Sequence, residues 1–220
     1  MMKVITRILL VDDHAIIRQG LSSLLEKQPD IEVVGSVEDG RQAVDTVRQL
    51  APDLVIMDIS MPNLNGIDAA RKITEEINGV KIIALSIHSS RHFVAEMLKA
   101  GASGYILKEC LFDELVEAIK TVLNGGTYLS PKITGVVIDD YVKRLSTQYQ
   151  PEGPVLTERE REVLQFLSEG KSTKQIAMQL HVSAKTIESN RRNIMDKLGI
   201  NSVAELTKYA VREGITPLES

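Results

Sequence analysis

Apolar and polar positions follow one rhythm up to about residue 125 and another after it. In the first part, short β-branched apolar runs recur at 7–12 (RILLVD), 31–37 (IEVVGSV), 53–58 (DLVIMD), 80–86 (VKIIALS) and 103–107 (SGYIL). Between them lie stripes with helical period: Ile16, Ile17, Gly20, Leu21, Leu24 and Leu25; Ala43, Val44, Val47 and Leu50; Leu115, Val116, Ile119, Val122 and Leu123. Strands that alternate with helices predict βαβ units and a five-stranded parallel sheet covered on both faces. The near-continuous apolar character of the strands agrees with burial on both sides.

The rhythm breaks at Gly125-Gly126. Ser130-Pro131 has the pattern of an N-cap followed by the first helical residue, and predicts a helix over 131–145. Residues 146–154 (STQYQPEGP) are polar and hold two prolines and a glycine, which reads as a linker. Beyond Val155 the pattern is helical throughout. Thr157 with Glu160, and Ser172 with Gln175, have capping-box spacing. Ser183 can cap a third helix bearing Ile187, Ile194 and Leu198, and Ser202 to Arg212 forms a fourth. Two short helices, a brief turn at His181-Val182-Ser183 and a longer basic helix predict a helix-turn-helix. The expected organisation is therefore an α/β domain over 1–125, a partly helical linker over 126–154, and an all-α domain over 155–220.

Charge sharpens that division. The net charge of −4 resides in residues 1–150, with 16 basic against 20 acidic residues, while 151–220 balance at 10 and 10. Within the second part, Lys171, Lys174, Lys185, Arg191, Arg192 and Lys197 crowd one segment against only Glu188 and Asp196. Such local positive charge suits a nucleic-acid surface on an otherwise neutral domain. A solvated helix face would have the same composition. A single cysteine, Cys110, excludes an internal disulfide, and the four histidines have no zinc spacing. The N-terminal apolar run is too short for a signal peptide and no run is long enough to span a membrane, so a cytoplasmic location is expected.

In a parallel sheet, ligands bind at the carboxyl ends of the strands. Asp12 and Asp13 end the first strand, Asp58 the third and Ser86 the fourth, and Lys108 follows the fifth. Three carboxylates in one crevice repel unless a cation joins them, and hard oxygen ligands suit Mg²⁺. Lys108 supplies a second positive charge able to hold a phosphoryl oxygen. A carboxylate facing both is ready to become an acyl phosphate. Taken singly, each acid could equally be a cap, and Tyr105 a packed aromatic with a wet hydroxyl.

Val-Asp-Asp (11–13), Met-Asp-Ile-Ser-Met-Pro (57–62) with Asn-Gly (65–66), Ser86 and Tyr-Ile-Leu-Lys (105–108) resemble a response-regulator receiver domain over about residues 5–125. The resemblance implies a flavodoxin-like fold with five strands and five helices. It implies that Asp58 is the phosphoacceptor, with Asp12, Asp13, Asp58 and the backbone carbonyl of Ser60 around Mg²⁺. It further implies that Lys108 contacts the phosphoryl group, and that Ser86 and Tyr105 form a switch pair. The segments 156–164, 169–177 and 182–198 resemble the LuxR-type helix-turn-helix over about 153–216. Together they point to the NarL/FixJ class of transcriptional regulators.

On the third helix of that domain, packing of Ile187, Ile194 and Leu198 into a core directs Lys185, Glu188, Ser189 and Arg192 outward. Arg192 could read guanine and Glu188 cytosine, whereas Lys174, Lys185 and Thr186 suit phosphates. Arg191 completes the basic set. An intrahelical pair of Glu188 with Arg191 or Arg192 competes with base contact. The expected partners are double-stranded DNA, a sensor histidine kinase, a second copy of the chain when phosphorylated, and RNA polymerase. Before phosphorylation the receiver could cover the recognition helix through the 126–154 connector, and the sequence leaves masking, dimerisation or both open as the route of control. Two rival readings fit the sequence less well. A phosphatase using the same pocket would need a substrate domain that 220 residues do not leave, and a degenerate receiver would lack an acid or the lysine.

Overall fold

The computed structural model describes residues 5–109, 112–146 and 156–216. The stretch 147–155, which holds nearly all of the polar segment 146–154 read as a linker, and Cys110 lie outside them. Strands β1 (Thr6–Val11), β2 (Ile31–Val37), β3 (Leu54–Met57), β4 (Lys81–Ser86) and β5 (Gly104–Leu107) alternate with helices α1 (Ala15–Leu25), α2 (Gly40–Leu50), α3 (Gly66–Glu76), α4 (Arg91–Lys99) and α5 (Phe112–Leu123). The sheet is parallel and runs β2-β1-β3-β4-β5-β6.

The sixth strand, β6 (Tyr128–Leu129), corrects the expectation of five. It is two residues long, and its pattern could not announce it. It forms because the backbone beyond Gly126 runs along the open edge of β5, where Tyr128 N–H donates to the Ser103 carbonyl and Ser130 N–H to that of Tyr105. Two apolar layers sandwich the sheet. One is built from Leu9, Val55, Met57, Ile67, Ile73, Ala84, Phe93 and Met97, the other from Ile8, Leu10, Leu25, Ile56, Ile83, Ile106, Leu115 and Ile119.

Helix α6 (Pro131–Ser146) follows β6 and packs on α4. Ser130 precedes it as expected. Its carbonyl accepts from Ile133 and Thr134 N–H, but its buried hydroxyl has no hydrogen-bond partner and caps nothing. The four remaining helices, α7 (Glu158–Ser168), α8 (Thr173–Gln179), α9 (Ala184–Leu198) and α10 (Val203–Arg212), enclose a separate core of Val163, Leu164, Phe166, Ile176, Ile187, Ile194, Leu206 and Ala210. Both capping boxes form, at Thr157/Glu160 and Ser172/Gln175, and Ser183 and Ser202 cap α9 and α10. Among the described residues no helix is long and apolar enough to cross a membrane.

Candidate functional site: an acidic crevice and an exposed basic helix

The fold brings the strand-end residues together. Asp12 and Asp58 are almost fully buried, and Lys108 reaches between them with its ammonium 2.7 Å from Asp12 Oδ2 and 2.8 Å from Asp58 Oδ2. Asp58 Oδ1 accepts from the N–H of Ile59 at 2.6 Å and more weakly from Ser60 at 3.4 Å. Asp13 stands at the rim, half exposed, 2.7 Å from His14 Nδ1. Arg18 holds the backbone carbonyl of Asp12.

Charge is poised in this crevice. Burial pushes the Asp58 carboxyl above its ordinary value, and neighbouring Asp12 pushes the same way, beyond what Lys108 draws back. Burial opposes the charge of Lys108, but Asp58 and Asp12 hold its ammonium above its ordinary value. Asp12 Oδ2, although close to Lys108, and Asp13 Oδ1, although close to His14, are buried oxygens without a donor in hydrogen-bond geometry. One ligand atom from each of Asp12, Asp13, His14 and Asp58 falls within a 4.8 Å cluster. Hard carboxylate oxygens with unfilled lone pairs fit a divalent cation.

The crevice wall comes from the loop after β4. Ser86 is fully buried, and its hydroxyl accepts from His88 N–H at 3.1 Å. Tyr105 is also fully buried, and its hydroxyl donates to the His88 carbonyl at 2.7 Å. The phenol is therefore not wet, and burial raises its pKa far above the ordinary value. His88 lies outside the motifs that carry the receiver resemblance. Its ring stacks on Phe93 at 4.0 Å and its Nε2 lies 2.8 Å from Ser60 Oγ, so it bridges the two loops that flank Asp58. Its position two residues after Ser86 was the available signal.

The second cluster lies on α9. Ile187 and Ile194 are buried, and Lys185, Thr186, Glu188, Ser189, Arg191 and Arg192 are exposed, as is Lys174 on α8. The Thr186 hydroxyl lies 2.8 Å from that of the cap residue Ser183 and is partly committed there. The competing ion pair of Glu188 with Arg191 or Arg192 does not form among the described residues.

The α/β domain does not cover this face. It grips α7 and the turn after α10 instead. Gln165 bonds the β3–α3 loop, Glu162 meets Lys72 and Arg41, Arg161 pairs with Asp68, and His92 contacts the Glu213 carbonyl. No sequence signal marked this contact, because an isolated Gln on an amphipathic helix reads as surface.

Residues 8–120 match the family described as the response regulator receiver domain, and 154–210 match the bacterial regulatory proteins of the luxR family. The chain is 36% identical to the transcriptional regulatory protein DegU of Brevibacillus brevis, over 94% of each chain. It is 37% identical to the oxygen regulatory protein NreC of Staphylococcus carnosus, over 94% of this chain and 97% of that one. Among solved structures it is similar to RcsB of Salmonella enterica serovar Typhimurium bound to promoter P1flhDC in the presence of the phosphomimetic BeF3−. That likeness has a TM-score of 0.61 at 25% identity and covers 96% of this chain and 99% of that one. It is also similar to a LuxR-family two-component response regulator from Aurantimonas sp. SI85-9A1, with a TM-score of 0.60 at 36% identity, covering 63% of this chain and 99% of that one.

Proposed function

The chain belongs to the two-component response regulators that join a receiver domain to a LuxR-type DNA-binding domain, and from that premise we propose that Asp58 accepts a phosphoryl group from a histidine kinase and thereby controls DNA binding through α9. The observation that carries this reading is the setting of Asp58 at the end of β3, between Lys108 and Asp12 and beside the buried Ser86 hydroxyl. Residues 1–125 act as the receiver, 126–154 as the connector and 155–220 as the DNA-binding unit.

An Asp58 oxygen attacks the phosphorus of a phosphohistidine. The Oδ–P bond forms, the P–N bond breaks, and its electron pair leaves with the imidazole, which takes up a proton from solvent. Asp12, Asp13, Asp58 and the Ser60 carbonyl would hold Mg²⁺, which supplies charge neutralisation at the phosphoryl oxygens when bound. Lys108 exchanges its bond to Asp58 for one to a phosphoryl oxygen. The Ser86 hydroxyl donates to another and gives up its contact with His88 N–H. Tyr105, bonded to the His88 carbonyl, then moves with that loop.

At the DNA, Arg192 and Glu188 address base edges, with Ser189 beside them. Lys174, Lys185, Thr186 and Arg191 address phosphates and set register. Phosphorylation favours a dimer whose two DNA-binding units occupy two half-sites, because tethering raises the effective concentration of the second. RNA polymerase is the further partner through which bound DNA would affect transcription.

Incubation with Mg²⁺ and labelled acetyl phosphate tests the assignment. The wild-type chain gains label and Asp58→Ala does not. Label kept by Asp58→Ala would overturn it.

A further inference from the structure

Outside the crevice, buried polar groups gather where α7 meets the β3–α3 loop, among them Asn65, Asp68, Glu162 and Gln165. Gln165 is fully buried. Its Nε2 donates to the Met61 carbonyl at 3.1 Å, and its Oε1 accepts from Asn65 N–H at 3.1 Å and Asn65 Nδ2 at 3.2 Å. Glu169 accepts from Asn63 N–H, and Lys171 donates to the Asn63 side chain. Helix α7, through Gln165, and the turn that follows it, through Glu169 and Lys171, thus grip the loop at residues 61, 63 and 65.

That loop has no slack. Its first end is bonded to the phosphoacceptor through the Ile59 and Ser60 N–H groups on Asp58 Oδ1. Its last end returns to the same place, with Gly66 N–H donating to the Ile59 carbonyl at 2.8 Å. A Cβ on Gly66 would fall 2.0 Å from the Asp58 carbonyl oxygen, so the two backbones are in direct contact. A displacement at Ser60 is passed to Met61 and Asn65, where Gln165 has placed a donor and an acceptor.

We propose that Gln165 is a positioning residue for phosphorylation: it clamps the β3–α3 loop in the form that suits a free Asp58 carboxylate, so that release of α7 and phosphorylation of Asp58 are thermodynamically linked. This rests on Asp58 being the phosphoacceptor. The sign follows from the bonds to Oδ1. They are charge-assisted while the carboxylate is free, and an acyl phosphate is a weaker acceptor. Phosphorylation therefore loosens the loop end that Gln165 needs. Coupling between two sites is reciprocal, so loss of the clamp eases phosphorylation. A second grip reinforces it on the first turn of α4, beyond the loop that follows Ser86, where His92 Nε2 meets the Glu213 carbonyl at 2.9 Å and Phe93 packs on the backbone of Gly214.

The test uses the full chain in four forms: wild type, Gln165→Ala, Gln165→Glu and Asp58→Ala. Gln165→Glu keeps the shape of the side chain but turns the donor at Met61 into an acceptor. The initial rate of labelling by acetyl phosphate with Mg²⁺ is measured together with amide hydrogen exchange over residues 61–66. Both Gln165 variants are expected to label about fivefold faster or more. Exchange at Asn63 and Asn65 should rise on phosphorylation of the wild type and be high from the start in the variants. Folded variants that label at the wild-type rate or slower would overturn the clamp. If neither variant folds, the wild type decides: exchange unchanged by phosphorylation also overturns it. Failure of the wild type to label, or label kept by Asp58→Ala, would instead sink the Asp58 assignment.

Discussion

Gly66 shows how much of this site is set by a single atom that is missing. Its N–H closes the β3–α3 loop onto Ile59, and the backbone carbonyl of Asp58 occupies the space a β-carbon would need. Gly66→Ala must push β3 and α3 apart at the phosphoacceptor. Overpacking of a rigid backbone contact costs about 1–3 kcal/mol, and the upper end is expected because the obstructing atom is backbone rather than a flexible side-chain tip. Thermal melts of the two proteins check this, with a fall of several degrees expected in the receiver transition. A melting temperature unchanged by the substitution would mean that the contact yields freely. The Asn-Gly pair at 65–66 was visible in the sequence as part of a motif. The reason for it was not, because a close approach between residues 58 and 66 exists only once the chain has folded. The same holds for Gln165. Its type says nothing of burial, whereas Asp12, Asp58 and Lys108 could be placed because the topology of a parallel sheet sends strand ends to one crevice.

At the scale of elements, the pattern spoke where a face is uniformly apolar. Helices α2 and α5 bury Ala43, Val44 and Val47, and Leu115, Ile119 and Val122, as their stripes require. Helix α1 fits less well, since Ile16 belongs to its stripe but is 80% exposed and only Leu25 is fully buried. Helices α3 and α4 carry shorter stripes, Ile67, Ala69, Ala70 and Ile73 on α3, half of it alanine, and Phe93, Val94 and Met97 on α4, confined to just over one turn. Helix α9 was the most readable of the second domain, and it supports a comparison between two of its residues. Arg192 and Lys185 are both exposed, yet they are assigned to bases and to phosphate. Against a selected site, Arg192→Ala is expected to cost about 1–3 kcal/mol and to relax preference at one base pair. Lys185→Ala should weaken binding to all sequences alike and lower the salt slope by about one unit. Titrations at several salt concentrations on matched and mismatched sites distinguish them. Interchanged behaviour would reverse the two roles.

Across the whole molecule, the DNA-binding domain is held by its α7 side and its recognition face is left free. On the function proposed above, this arrangement favours control through what docking prevents, such as pairing of two chains or their alignment on two half-sites. The electrostatic centre of the docked face is Glu162, buried between α7 and the receiver. Lys72 Nζ on α3 lies 2.8 Å away, Arg41 on α2 3.7 Å and Arg159 on α7 itself 3.1 Å. Burial works against the Glu162 carboxylate, but the Lys72 bond and charge, with Arg41 and Arg159, outweigh it and hold its pKa below the ordinary 4.5. A depressed carboxyl pKa means that the docked form binds fewer protons than the undocked one. Its contribution to docking is complete above about pH 4.5 and falls away as the pH drops through the docked-state value. Protonation would leave Lys72 and Arg41 facing a neutral group in a poorly hydrated interface, where losing one partner of an ion pair is costly. Small-angle scattering of the full chain between about pH 7 and 3.5 should show the two domains separating at the acid end before either domain melts. Glu162→Gln should be more open than wild type near neutrality and should lose most of the pH dependence. If the variant instead opens along the same curve as the wild type, Glu162 does not carry the dependence.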